Sequence, residues 1–225
     1  MAAAGGGGPS NDGSQGTSGW LLSTAQQLFD VSTEDVVQRL RLVLVPYPPP
    51  AAGAANELKA RPDFYGPFWV ATTAVLFLAA TGNFAQLVEA GTHAGFKADY
   101  GLVSIAASMI YGCLLAVPLV ARISLFASGE EVGSVDFRQM ICVCGYALAP
   151  AIPVSILCIV PLDGVRWLVT ILGLAASLLF LRGQLWADLV GKTSWLKWVL
   201  IVSLCAAQVI VYSVYRLHFF SRSKH

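Results

Sequence analysis

Four stretches of this chain run for 18 residues or more without a charged side chain: Phe64–Val88 (25 residues), Tyr100–Ala121 (22), Gln139–Leu162 (24) and Trp198–Tyr215 (18). A fifth, Trp167–Leu181, has 15 residues and is flanked by Arg166 and Arg182. A bilayer core about 30 Å thick needs roughly 20 apolar residues of helix to cross it. Long basic side chains at the ends of a short segment can snorkel to the headgroups, so the fifth stretch also reaches. A soluble domain would have to hide this apolar content, 56% of residues at a mean hydropathy of +0.66, in one core. Spanning helices dispose of it more simply, because a helix satisfies its own backbone in lipid. The sequence therefore predicts an all-α membrane protein. It is a five-transmembrane-helix bundle, with spans at about 67–88, 101–121, 139–160, 165–185 and 198–217.

The 14 basic and 13 acidic residues nearly cancel, so the chain has no charged field suited to nucleic acid. All five cysteines (Cys113, Cys142, Cys144, Cys158 and Cys205) fall inside predicted helices, where they read as small apolar packing residues. Cys142-x-Cys144 lacks the spacing and the histidine or carboxylate company of a zinc site. No metal or cofactor is expected. There is no Asn-x-Ser/Thr sequon and no C-terminal prenylation box. Residues 1–19, rich in Ala, Gly and Ser, offer almost nothing to bury and are expected to form a disordered cytosolic tail without a cleaved signal peptide. The first span then serves as the insertion signal.

Orientation follows from lysine and arginine on the two faces. Arg39, Arg41, Lys59, Arg61, Arg122, Arg138, Arg182, Lys192 and Lys197 lie on one face, nine in all, against Lys97, Arg166, Arg216, Arg222 and Lys224 on the other. The richer face is expected in the cytosol. That places the N-terminal segment inside and the tail at 218–225 in a lumen, although three basic residues at the C-terminus pull the other way.

Within the cytosolic segment 20–62, a helix is expected at about 33–45. Ser32 or Thr33 can cap it, and Glu34 and Asp35 sit in its positive first turn. Val36, Val37, Leu40, Val43 and Leu44 repeat at helical spacing, with Gln38, Arg39 and Arg41 largely off that stripe. Pro46 ends the helix, and Pro46-Tyr-Pro-Pro-Pro50 continues as a stiff linker. A lone helix this short is marginal in water and needs a surface: its own bundle, the membrane or a partner.

The approach to the first span is the most specific local feature. Arg61-Pro-Asp-Phe-Tyr-Gly-Pro-Phe-Trp69 packs four aromatics around a helix start, with Pro67 in the first turn and Asp63 placed to accept from exposed amides. Generic interfacial anchoring accounts for the aromatics but does not require the ordered Asp-x-Tyr-Gly-Pro string.

Several strings in register resemble the Yip-domain family, the multi-pass Rab-interacting membrane proteins of the early secretory pathway. Asp63-Phe-Tyr-Gly-Pro67 is similar to that family's Asp-Leu-Tyr-Gly-Pro signature, with Phe64 in place of the usual Leu. Gly145-Tyr146-Ala-Leu148 with Ile152-Pro153 resembles its second signature. Val103-Ser-Ile-Ala-Ala107 with Tyr111 and Pro118, and Val165-Arg-Trp167, resemble other segments of the domain, while Phe29-Asp-Val-Ser-Thr33 through Leu40 to Pro46 is similar to the cytosolic motif of one branch. The resemblance covers about residues 28–215. It implies a five-span Golgi or ER–Golgi protein with a cytosolic N-terminus, which binds Rab-type small GTPases and other members of its family and supports vesicle-mediated transport. It marks Asp63, Tyr65, Gly66, Pro67, Gly145, Tyr146 and Pro153 as signature positions, with Val36, Val37, Leu40 and Leu44 as a candidate docking helix.

Catalytic candidates are thin. No acidic residue lies in a span interior: Glu89 and Asp99 flank the first loop of the far face, and Asp188 reads as a loop residue. His93, His218 and His225 are scattered. Gly82-Asn83 and Gln208 read as interhelical hydrogen-bonding positions, Gly173-x-x-x-Ser177 permits close helix approach, and Pro118, Pro150 and Pro153 should kink their helices. The expectation is a non-enzymatic trafficking factor embedded in the bilayer. Two other classes fit the residues: a small-solute or lipid transporter using the kinked third span, and a membrane-shaping protein.

Overall fold

The structure is a computed structural model that describes residues 32–45, 62–90, 98–129, 137–190 and 194–220; of Ala90 and residues 186–190 only the helical backbone is described. The expected tail at 1–19, most of segment 20–62 with its proline-rich linker, the chain beyond Phe220, and the basic residues Lys59, Arg61, Lys97, Lys192, Arg222 and Lys224 lie outside these residues.

Among the described residues, five helical spans are long and apolar enough to cross a membrane. They are built from α2 (Tyr65–Ala90), α3 (Gly101–Ser128), the pair α4 (Phe137–Tyr146) and α5 (Ala151–Leu157), α6 (Asp163–Val190), and α7 (Ser194–Val214) continued by a π-helical turn at Tyr215–Phe219. Among the described residues there is no strand. Asp188 lies on the helical backbone of α6, not in a loop as the sequence suggested, because α6 runs on past the apolar segment.

The third span is the axis of the bundle: 72% of it is buried within the protein, against 28–50% of the others. It touches α2, α3 and α6. It is also the broken one. Pro150 has no amide hydrogen to continue the ladder, and Ala147–Pro150 form turns between α4 and α5. In lipid the freed carbonyls need partners. The Ser177 hydroxyl of α6 donates to the Ala147 carbonyl, which the break leaves out of the ladder, at 2.7 Å, and the Tyr215 hydroxyl adds a bond to the Ala151 carbonyl in the first turn of α5 at 3.0 Å. Tyr212 shares the Ser177 hydroxyl at 3.0 Å. The close approach this needs comes from Gly173, where an added Cβ would sit 2.5 Å from Val154 and 2.9 Å from Tyr212. By contrast α3 continues unbroken through Pro118.

Outside the spans, α1 (Thr33–Leu44) begins at Ser32, whose hydroxyl accepts from the Asp35 amide at 3.2 Å. Val43 is fully buried, and Val36, Leu40 and Leu42 pack against the core, so α1 lies on its own bundle, against α4 and α6. Val37 and Leu44 of the expected stripe face outward. Arg39, which the stripe left out, is buried. A cation counted as solvent-facing is thus carried inward by its helix.

Candidate functional site

The signature strings converge beneath α1. Asp63 precedes the first turn of α2, and its carboxylate accepts the Gly66 amide at 2.7 Å, which satisfies one of the free N–H groups of a helix start. The same carboxylate takes three side-chain donors from elsewhere. Arg39 reaches it from α1 as an ion pair, the Tyr146 hydroxyl donates from α4 at 3.2 Å, and the Cys142 thiol donates at 3.3 Å. Asp63 is 2% exposed. Enclosing a carboxylate is costly unless a cation and hydrogen bonds replace its water, and here Arg39, Tyr146, Cys142 and the Gly66 amide do so.

Arg39 lies outside the spans, with its guanidinium 6.0 Å from the Tyr146 ring centroid. Burial alone would lower its pKa, but the facing Asp63 carboxylate, helped by Tyr146 and Cys142, outweighs this and leaves it above its ordinary value. The cation is therefore permanent, and the site has no proton to exchange through it.

The two signatures also interlock by shape. A Cβ on Gly66 would fall 1.8 Å from the Tyr146 hydroxyl oxygen, and a Cβ on Gly145 would fall 2.4 Å from Cβ of Pro67. Each string supplies the glycine that admits the other's bulky residue, which brings the start of the first span into backbone-level contact with the end of α4, midway along the third. Tyr65 is 39% exposed and, with Phe68 and Trp69, forms a ring cluster with centroid separations of 6.2 Å (Tyr65–Trp69) and 5.6 Å (Phe68–Trp69). Pro153 is not part of the cluster: it sits exposed on α5, beyond the break. The structure thus brings together Asp63, Gly66, Pro67, Gly145 and Tyr146, with Tyr65 in the neighbouring ring cluster and Pro153 beyond the break.

A second charged cluster closes the opposite end of the bundle. Arg166, expected to snorkel outward, is instead 1% exposed. Its Nε donates to the carbonyls of Cys158 and Val160 at 2.8 and 3.0 Å, and its Nη1 to Glu89 at 2.6 Å and the Phe220 carbonyl at 3.2 Å. Arg216 donates to the same Phe220 carbonyl at 2.6 Å and to Asp163 at 2.8 Å. Its guanidinium lies 5.2 Å from the Trp167 ring centroid. The wider π-helical turn is what carries Tyr215, Arg216 and Phe219 inward together.

Sequence reasoning missed Arg39, Cys142, Glu89 and Arg166 as partners. Only Val165-Arg-Trp167, a string resembling a family segment, pointed at one of them. Asn83 does bond across elements, accepting the Asp99 amide at 2.7 Å and donating to the Asp99 carbonyl at 3.1 Å. The buried Gln208 carbonyl oxygen has no partner among the described residues. Among the described residues no three His, Cys, Asp or Glu side chains are grouped to hold a metal. What the Asp63 cluster can do chemically is hold: it joins an extramembrane helix, a span start and the central span through one carboxylate.

The family model for the Yip1 domain matches residues 43–217. The chain is 31% identical over 198 residues to Protein YIPF1 homolog of Dictyostelium discoideum, covering 87% of this chain and 55% of that one. It is 28% identical over 172 residues to Protein YIP5 of Schizosaccharomyces pombe, covering 72% of this chain and 66% of that one. The chain therefore spans between about half and two thirds of the length of these curated relatives. No solved structure matches it.

Proposed function

This chain belongs to the Yip1 domain family of trafficking-related, multi-pass membrane proteins, and from that premise we propose that it works without catalysis in vesicle-mediated transport of the early secretory pathway. In this reading it resides in Golgi membranes that exchange with the endoplasmic reticulum. The Asp63 end faces the cytosol and the Arg166 end faces the lumen. There it binds a Rab-type small GTPase, alone or with other proteins of its family. One observation carries the reading: Arg39 and Asp63 clamp α1 onto the first span start, so the helix is presented at a defined place on the bundle. The outward Val37 and Leu44 are the contact positions.

Val37→Asp tests the contact, because Val37 is 42% exposed and the substitution leaves the clamp untouched. Full-length protein bearing it should insert and fold as wild type, yet capture at least tenfold less of a Rab-type GTPase from a panel of prenylated ones. That loss corresponds to about 1.4 kcal/mol at an interface. Capture equal to wild type across the panel removes α1 as the recognition element. Gly66→Leu is a poorer probe, since any Cβ there collides with Tyr146 and lost function would only report broken packing.

A further inference from the structure

Where α6 and α7 run side by side they are tight at one level and open at another. At Gly173 even a methyl group would touch Tyr212. Toward Arg182 they part around a cavity of about 260 Å³. Leu181, Leu185 and Leu204 form its buried floor, Leu178 and Ile201 its walls, and the exposed Arg182 and Cys205 its mouth. The volume is several times the roughly 30 Å³ one water occupies in the liquid, and among the described residues Arg182 is the only charged one in its lining. Water needs two to four polar partners to stay in such a place, so the chemistry calls for hydrocarbon.

Depth adds a second requirement. Arg182 closes the uncharged run Trp167–Leu181 and stands 16 residues after the buried Arg166 (182 − 166), about 24 Å along the axis. In a hydrocarbon core about 30 Å thick, that leaves its long side chain within reach of the headgroups. Lys197 stands one helical turn before Ile201 on α7, and residues four apart share a face. One cation, Arg182, thus lines the apolar opening, with Lys197 a turn beyond Ile201, and a planar guanidinium matches phosphate oxygens two at a time. We propose that the α6–α7 cavity binds one anionic phospholipid, with part of an acyl chain against Leu181, Leu185 and Leu204 and its headgroup phosphate on Arg182, Lys197 adding to the positive field.

Cys205 at the mouth supplies the probe, since Cys142, Cys144 and Cys158 are buried and the half-buried Cys113 can be replaced by Ala. Full-length protein labelled at Cys205 with a small thiol-reactive fluorophore is placed in nanodiscs of phosphatidylcholine. These carry a minor, equal fraction of either chain-brominated phosphatidylserine or chain-brominated phosphatidylcholine. Brominated phosphatidylserine should reach half-maximal quenching at about one fifth the mole fraction, a ratio equivalent to about 1 kcal/mol for one basic residue. Arg182→Gln should bring the ratio to one, and Leu178→Trp, which fills the cavity, should weaken quenching by both lipids. Variants are compared only if their thermal transitions match the parent. Equal quenching by the two lipids in the parent overturns the proposal, as does selectivity that survives Arg182→Gln. Quenching unchanged by Leu178→Trp would mean that the probe reads bulk bilayer, and also overturns it. Failure to quench with either lipid overturns it as well, and cross-linking of unlabelled protein through Cys205 would then assign the cavity to a second copy of the chain.

Discussion

Both ends of the bundle bury an arginine against a carboxylate, but the arginines arrive differently. Arg39 comes from outside the spans, on a short helix whose connection to α2 is long enough to let it leave. Arg166 and Arg216 belong to the spans themselves, and their acceptors are carbonyls and carboxylates of neighbouring span ends. Buried ion pairs contribute little net stability as pairs, yet removing one partner from a pair that cannot open leaves an uncompensated charge inside. The Asp63 end can answer such a loss by releasing α1 and its cation into water. The Arg166 end has no such exit. One end is a latch and the other is a clasp. Satisfaction follows the same division: Arg166 Nη2 and Arg216 Nε are buried without a partner among the described residues, whereas Asp63 accepts on both oxygens.

The largest effect should come from the clasp. Arg166→Ala is expected to destabilise full-length protein by about 3–5 kcal/mol, read as a lowered thermal transition in detergent. Arg166→Lys should not restore it, because an ammonium cannot serve four acceptors from two positions. A wild-type transition in Arg166→Ala would erase the contrast between the ends.

Next comes the interlock behind the latch. Gly66→Ala forces a Cβ into Tyr146 and should cost about 1–3 kcal/mol by overpacking. Combining it with Tyr146→Ala should give a double variant less destabilised than the sum of the two singles, a coupling that double-mutant analysis of thermal or denaturant unfolding measures. Additive effects would mean that the two signature strings do not meet through this contact.

The smallest effect on the spans is expected from Asp63→Ala. Losing the helix cap costs about 1 kcal/mol, and Arg39 follows its helix into solvent. What should change is the latch itself. Trypsin cleavage after Arg39 and Arg41 in membrane-embedded protein should accelerate about tenfold for each 1.4 kcal/mol of docking lost. A thermal loss as large as that of Arg166→Ala, with no gain in cleavage, would make the Asp63 end a second clasp.

Much of the candidate site was legible because its parts are local. Asp63 caps a turn three residues away, and the order Asp-x-Tyr-Gly-Pro is visible in a run of five residues. The break at Pro150 follows from a missing amide hydrogen. What pairs with Asp63 was not legible, since Arg39 is 24 positions away, Cys142 is 79 and Tyr146 is 83. Hydrophobic periodicity places Arg39 beside an apolar stripe without saying whether its long side chain turns to water or to a carboxylate. Arg166 misled for the same reason: arginines at the ends of apolar segments commonly snorkel, and nothing near it in sequence announces Glu89 or the Phe220 carbonyl.

The sequence by itself determined that this is a helical membrane protein with five spans, where the chain turns into the first of them, and which strings place it in its family. Lipid imposes those features residue by residue, through the length of an apolar run and the hydrogen-bonding needs of the backbone, so they can be read along a line. Only the tertiary structure decided which glycine admits which side chain and why the third span can break. It alone decided that an extramembrane cation neutralises Asp63, and that α6 and α7 part around a cavity beneath Arg182. Those depend on distances between residues far apart in the chain, and a buried charge or a missing Cβ takes its meaning from whatever lies opposite.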